Sequence, residues 1–201
     1  MVAEPPSDRQ ALRRAMRTAR RSLSPGVASA NASAVADRAV DLLTRSGLPD
    51  DAVSLIVGAT IADDGELDPG PLVEALVARG ARVAYARVVD GTMGFALVGP
   101  PGRLVVGPGG VRQPAANAVA IPAQDLDVVL VPVVAFDARC DRIGRGAGHY
   151  DRTFADRGAS SPLLIGLAHD EQRVADVVPE AHDVALDHIV TPTAVFSRRH
   201  C

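Results

Sequence analysis

The sequence predicts an α/β protein, a three-layer α/β/α sandwich on a mainly parallel, Rossmann-like sheet with helices at its N-terminus. Three observations carry this expectation. Helical periodicity occupies most of the first 45 residues, and strand-length apolar runs then alternate with helical segments. That order produces parallel pairing. The run Val128–Phe136 is apolar almost throughout and reads as a buried strand and its exit. A glycine-rich stretch, Arg142-Ile143-Gly144-Arg145-Gly146-Ala147-Gly148-His149-Tyr150-Asp151-Arg152, follows it, at the carboxyl edge where such sheets bind ligands.

Residues 1–7 read as a loose tail. Asp8 is a suitable N-cap for a helix running to Leu23, with Ala11, Leu12, Ala15, Met16, Ala19 and Leu23 as its packing stripe. Arg9, Arg13, Arg17 and Arg20 share a face. They suit either a solvated surface with apolar stems or an anion site reached by Arg9 and Arg13. Ser24-Pro25 breaks this helix. A second helix spans Ala28 to Arg45 and is closed by Gly47-Leu48-Pro49. Val53–Gly58 reads as a buried strand, Leu72–Arg79 as a helix ended by Gly80, and Arg82–Ala86 as the next strand. This βαβ unit predicts a parallel pair. The Gly- and Val-rich stretch 91–114 predicts a hairpin or edge strands, Gly94–Val98 and Arg103–Val106. Leu126–Val131 is the central strand entering the glycine loop, Leu163–Leu167 a further strand, and Ala185–Val190 a short terminal one. No repeat or interdomain linker interrupts the 201 residues, which are expected to form a single domain.

Composition narrows the function. A net charge of −3, no Trp and two Tyr offer little to nucleic acid. No apolar run has transmembrane length, and no apolar segment marks a secretory signal; a cytoplasmic monomer is expected. All 21 basic residues are Arg, which excludes Schiff-base chemistry and a P-loop lysine. Cys140 and Cys201 make neither a disulfide framework nor a zinc set. Cys140 lies near Arg139 and Arg142, which would lower a thiol pKa, but a lone loop Cys is an ordinary structural residue too.

The glycine stretch suits a structural turn or an anion site. Glycines admit close backbone approach, and arginine forks match phosphate oxygens. The pattern is GxGxG without GxGxxG or a Gly-Lys-Ser/Thr ending. Glu66, before a Pro, is either a charge favoured at a helix start or a carboxylate at the ligand edge accepting substrate NH groups. Asp151 and Asp183 suit magnesium, or only solvent. His169-Asp170, His182-Asp183 and Asp187-His188 match no spaced metal-ligand set, and no GxSxG elbow supports a serine hydrolase.

Ala135-Phe136-Asp137, followed by the block from Arg142 to Arg152, resembles the signature of the 5-formyltetrahydrofolate cyclo-ligase family. The similarity begins at Arg9-Gln10-Ala11-Leu12-Arg13 and includes Glu66-Leu67-Asp68. It continues through Gly166-Leu167-Ala168, Gln172, Pro179-Glu180, His182-Asp183-Val184, Leu186-Asp187 and Thr191. The resemblance implies ATP- and Mg2+-dependent conversion of 5-formyltetrahydrofolate, the small-molecule substrate, to 5,10-methenyltetrahydrofolate, ADP and phosphate. It implies that Arg9, Arg13, Arg142, Gly144, Arg145, Gly146, Ala147, Gly148, His149 and Tyr150 hold ATP, and that Asp151 and Asp183 hold magnesium. Ile61 and Glu66 would bind the folate, with residues 145–149 also flanking the transferring group and Arg145 catalytic. The chain departs from the family pattern at Arg9 (for Lys), Pro69 (for Thr), Gln113 (for Glu), Val133 and Cys140 (each for Gly), and His149 (for Tyr), and it lacks a Trp near the folate. The alternatives are a weak or inactive paralogue binding ATP or another reduced pterin, and a sugar-phosphate isomerase that needs no ATP.

Overall fold

The computed structural model describes residues 8–47, 52–98, 104–107, 110, 112–158 and 161–198. The expected tail, Leu48 and Pro49 of the expected helix stop, and Arg103 lie outside them. Asp8 caps helix α1 (Arg9–Arg21), its carboxylate accepting from the Gln10 N–H at 2.9 Å. Helix α2 (Pro25–Arg45) begins three residues before the expected Ala28. Ser24 is its N-cap, accepting from the Val27 N–H at 3.3 Å, and Pro25 occupies the first turn. The same dipeptide thus separates α1 from α2 and starts α2, because a proline in the first turn lacks only an N–H that would be unpaired anyway.

A 3-10 turn (Ala52–Ser54) takes the start of the expected first strand, leaving β1 as Ile56–Ala59. Helix α3 (Gly70–Val77) ends at Gly80, whose φ of +100° lets the Ala81 N–H reach the Leu76 carbonyl at 3.1 Å. Strand β2 (Arg82–Val89) pairs parallel with β1, as the βαβ reading requires. The hairpin differs from expectation. Asp90 and Gly91 both have positive φ and join β2 directly to β3 (Thr92–Leu97), since an Asp-Gly pair forms the two-residue turn that matches strand twist. Strand β4 (Leu104–Val106) pairs instead with β5 (Arg112–Pro114) in a two-stranded sheet of its own, while β6 (Ala120–Ile121) pairs with β3.

Strand β7 (Val128–Pro132) is central, parallel to both β1 and β10 (Leu163–Leu167). It does not enter the glycine loop directly. A hairpin of β8 (Ala135–Phe136) and β9 (Arg142–Ile143) intervenes, and the helix after the loop, α4 (His149–Thr153), is little more than one turn. The terminal strand is shortened to β11 (His188–Val190), because the Asp187 carboxylate accepts from the Leu164 N–H at 2.8 Å and from Arg157. An antiparallel edge strand, β12 (Val195–Ser197), follows without a clear sequence signal.

The main sheet has the order β12-β11-β10-β7-β1-β2-β3-β6, with β11 to β2 parallel and the outer pairs antiparallel. Helices α2 and α3 cover one face through Val35, Ala39, Leu43, Leu72 and Leu76. Phe136 and Cys140 of the β8–β9 hairpin and Phe154 at the end of α4 pack on the other face, against Phe95 of β3 and Leu126. The expected α/β sandwich is therefore present, with more helix on one face than the other. No helix among the described residues is long and apolar enough to cross a membrane. The connection from β1 runs to β2 on one side and, later, the chain returns to β7 on the other. That reversal opens a crevice beyond the ends of β1 and β7.

The core tolerates little extra volume where Gly166 of β10 faces Leu186 and Val133. A Cβ at Gly166 would lie 2.6 Å from Leu186 Cδ1 and 2.9 Å from Val133 Cγ2. Gly166→Ala should therefore cost about 1–3 kcal/mol by overpacking, measured as a lowered denaturation midpoint with an unchanged m-value.

Candidate active site

A cavity of about 540 Å3 occupies the crevice, a volume suited to a cofactor-sized ligand. Thr60 and Ile61, leaving β1, and Pro132, ending β7, meet at it. The glycine loop, Gly144–Gly148, forms one wall together with His149, Tyr150 and Asp151. Arg9 and Arg13 of α1 and the segment containing Glu180, His182 and Asp183 form a second wall. Ala86, Val88 and Met93 of β2 and β3 supply an apolar wall, with Gln113 and Arg112 at its rim. All the residues expected at the site line this one cavity, although they come from distant parts of the chain.

The glycine loop is shaped by close contact with α1. The Arg13 Nε–H donates to the Gly144 carbonyl at 2.9 Å. A Cβ at Gly146, where φ is +104°, would lie 3.4 Å from Arg13 Cζ, so the loop drapes over that guanidinium. The terminal nitrogens of Arg13 have no protein acceptor among the described residues. A Cβ at Gly148 would lie 2.8 Å from Arg152 Nη1, the movable end of a side chain, so it is the left-handed backbone (φ +64°) that favours glycine there. Phe154 and Tyr150 stack at 6.4 Å and Phe154 meets Phe95 at the same distance, which anchors α4 to the sheet.

The arginines do not behave alike. Arg9 holds Asp183 at 2.8 Å and approaches Glu180 at 3.4 Å. Burial opposes its charge, but Asp183 and Glu180 outweigh that and raise its pKa. Burial likewise pushes the Asp183 carboxyl up, and the Arg9 hydrogen bond overcomes it to hold the group below its ordinary value. Arg142 is buried, with one terminal nitrogen on the Val184 carbonyl and the other on Asp151 Oδ1 at 3.0 Å. It presents no free fork to a ligand and acts at the cavity by orienting Asp151. Arg145 is more open. Its Nε–H donates to Glu66 Oε1 at 2.8 Å, and its terminal nitrogens donate to the Asp63 carboxylate and carbonyl, each at 3.2 Å.

Glu66 is placed between β1 and α3, with its side chain only 6% exposed. Arg152 donates to His149 Nδ1 at 3.1 Å when that nitrogen is unprotonated. Burial and the Arg152 charge both lower the His149 pKa, so the ring is neutral and its Nε2 carries the proton. The Tyr150 hydroxyl is buried beside Thr60 without a hydrogen bond of regular geometry, and burial raises its pKa.

Asp151 and Asp183 reach the same end of the cavity. Asp151 Oδ1 accepts from Arg142 and from the Val184 N–H at 3.1 Å. Asp183 Oδ2 accepts from Arg9 and from the Glu180 N–H at 2.8 Å. Each carboxylate keeps one oxygen without a protein donor among the described residues, a donor set suited to a hard cation. Glu180, His182 and Asp183 also place potential ligand atoms within 4.8 Å of one another.

Several participants were not singled out by sequence reasoning. The apolar wall is hidden in ordinary strand alternation. Asp63 and Asp64 carried a usable signal, since Asp-Asp-Gly marks a turn, but nothing local indicated that Arg17, Arg20 and Arg21 would converge on Asp64.

The match to the 5-formyltetrahydrofolate cyclo-ligase family model runs over residues 5–192. The chain belongs to that family. It is 35% identical over 145 residues to the 5-formyltetrahydrofolate cyclo-ligase of Escherichia coli K12, covering 70% of this chain and 79% of that one. It is 35% identical over 135 residues to the enzyme of the same name from Mycolicibacterium smegmatis, covering 62% and 68%. Among solved structures, the 5,10-methenyltetrahydrofolate synthetase of Aquifex aeolicus superposes with a TM-score of 0.76 at 26% identity, covering 96% of this chain and 94% of that one. The synthetase of Mycoplasma pneumoniae gives 0.71 at 24% identity, covering 92% and 99%, and shares the fold.

Family membership makes the departures interpretable. Cys140 stands where the family pattern has Gly, and its φ is +68°, the region glycine enters without cost. Its side chain is buried against the sheet, so the packing offsets some backbone strain. Gln113 replaces Glu and accepts from the Val88 N–H through Oε1 at 3.2 Å, a role an amide oxygen fills as well as a carboxylate oxygen. The Cys140 thiol is not activated by its arginine neighbours. Burial, followed by Asp137, pushes it up to about 11. At pH 8 roughly one thiol in a thousand is ionised. A Cys201→Ser variant should resist thiol-labelling reagents at pH 8 until it is denatured; rapid labelling of the native protein would contradict this assignment.

Proposed function

We propose that this protein is an ATP- and magnesium-dependent 5-formyltetrahydrofolate cyclo-ligase that forms 5,10-methenyltetrahydrofolate and releases ADP and phosphate. The observation that carries the reading is one cavity with two chemically distinct sides, bridged by the Arg145–Glu66 ion pair at 2.8 Å. The glycine loop with Arg9 and Arg13 fits a polyphosphate. The apolar wall with Ile61 and the sheltered Glu66 fits a pterin, whose NH groups match a carboxylate acceptor.

The reaction joins the formyl oxygen to the γ-phosphorus as the bond to ADP breaks. N10 then attacks the formyl carbon, phosphate departs with the former formyl oxygen, and N10 loses its proton. Phosphoryl transfer of this kind needs positioning and charge neutralisation more than a protein nucleophile. The lysine-free chain supplies both through arginine. The open nitrogens of Arg13 and the loop amides would hold phosphate oxygens. Magnesium, held by the spare oxygens of Asp151 and Asp183, would neutralise phosphate charge. Arg142 orients Asp151 from behind.

Arg145 has the central role. In this structure it occupies the acceptor that the pterin would use. Folate binding replaces Arg145 on Glu66 and frees the guanidinium to meet the transferring phosphoryl group. The neutral His149, offering Nε2–H, replaces the phenol of the family pattern as a donor beside the substrate.

The direct test is spectrophotometric: protein, ATP, magnesium and 5-formyltetrahydrofolate should produce methenyl-folate absorbance, and omitting ATP should abolish it. No product at high protein concentration with ATP bound would overturn the reading and favour an inactive paralogue. Arg145→Ala should lower kcat by about 10²–10³ with an unchanged circular dichroism spectrum. Glu66→Gln should raise KM for the folate about tenfold or more while affecting KM for ATP little.

A further inference from the structure

We propose that Arg20 is a positioning residue that holds Glu66 in register with the folate side of the cavity. The inference rests on the reading of Glu66 as the folate-gripping carboxylate. Arg20 lies in the last turn of α1 with its side chain only 2% exposed. Buried arginines normally have close partners, and those of this one are all long. Its terminal nitrogens lie 3.5 Å from the Val133 carbonyl, 3.7 Å from Asp64 Oδ2 and 3.9 Å from Glu66 Oε1. Its Nε has no hydrogen-bond partner among the described residues.

As a stabilising device this arrangement is poor, because an apolar side chain of similar volume would avoid the cost of burying the charge. As a positioning device it is apt. The Asp63–Glu66 turn folds directly onto the backbone of Arg20: a Cβ at Gly65 would lie 3.5 Å from the Arg20 carbonyl carbon. Asp64, held at positive φ, is fastened to Arg17 and Arg21 by two contacts of 2.6 Å. The guanidinium of Arg20 sits between that fastened turn and Glu66. Two arginines therefore face Glu66 Oε1, Arg145 from the cavity at 2.8 Å and Arg20 from the interior at 3.9 Å. When the folate displaces Arg145, Arg20 is the cation that remains. It holds the carboxylate toward the pterin instead of letting it follow Arg145.

The test compares Arg20→Met and Arg20→Lys with the unmodified enzyme. Arg20→Met should raise KM for 5-formyltetrahydrofolate about tenfold, with KM for ATP within about twofold. Arg20→Lys should recover part of the loss by restoring the charge. On a Glu66→Gln background Arg20→Met should add little, since both act through one carboxylate. Hydrogen exchange should quicken at amides 61–66 and not elsewhere. Equal rises in both KM values, full additivity with Glu66→Gln, or lowered stability with unchanged kinetics would overturn the proposal.

If Arg20→Met fails to fold, Asp64→Asn provides the second route. Asn tolerates the positive φ but removes the charge that fastens the turn, and the same folate-selective effect is expected. Unchanged folate KM in Asp64→Asn would count against the proposal. If the unmodified protein neither turns over nor binds the folate, the proposed function fails. Exchange at amides 61–66 in the variants then still decides whether Arg20 positions the turn.

Discussion

The site depends on the divergence of the chain at the carboxyl ends of β1 and β7. These neighbouring parallel strands send their continuations apart, one into the Thr60–Glu66 segment and the other toward the β8–β9 hairpin. Among the described residues no connection crosses the gap between them, and the cavity occupies it. Each wall of the cavity arrives separately: the glycine loop from the end of the hairpin, α1 from the N-terminus, and Asp183 from the approach to β11.

Such an arrangement needs something to hold independent segments together around a polar space, and arginine does this throughout. Arg13 ties α1 to the glycine loop, Arg9 ties it to Asp183, and Arg17, Arg20 and Arg21 tie it to the Asp64 turn. Beyond α1, Arg142 joins β9 to Asp151 and Val184, and Arg157 joins the segment after α4 to Asp187. A guanidinium can serve several acceptors in fixed directions while remaining charged. The same chemistry that would bind phosphate therefore also joins the walls of the cavity. This separates the arginines into those already committed to protein acceptors, such as Arg142, and those with nitrogens to spare, such as Arg13.

The departures from the family pattern fall into two kinds. Cys140 and Val133 replace glycines at buried positions, and the structure absorbs them by packing. Cys140 adopts a left-handed backbone in a closed environment, and Val133 lies where Gly166 leaves room for it. His149 is different because it borders the cavity. It changes a phenol into an imidazole whose orientation is governed by Arg152. The glycine loop's backbone is compatible with either side chain; what changes is the donor it offers.

Much was legible in the sequence because it depends on local periodicity and punctuation. The Asp8 cap, the βαβ unit, the central strand and the glycine loop are all local patterns, and the site residues named by the family signature all line one cavity. The start of α2 and the β2–β3 hairpin were also local, in Ser24-Pro25 and Asp90-Gly91, but each dipeptide permits more than one reading until its neighbours are placed. The roles of the arginines were not legible. Arg9, Arg13, Arg17 and Arg20 recur regularly along α1, yet one meets Asp183, one a loop carbonyl, one an exposed turn and one the interior beside Glu66. Helical spacing determines only which residues share a face. Which acceptor each charge finds is decided by contacts far apart in sequence, up to 174 residues for Arg9 and Asp183, and these exist only once the sheet has brought the segments together.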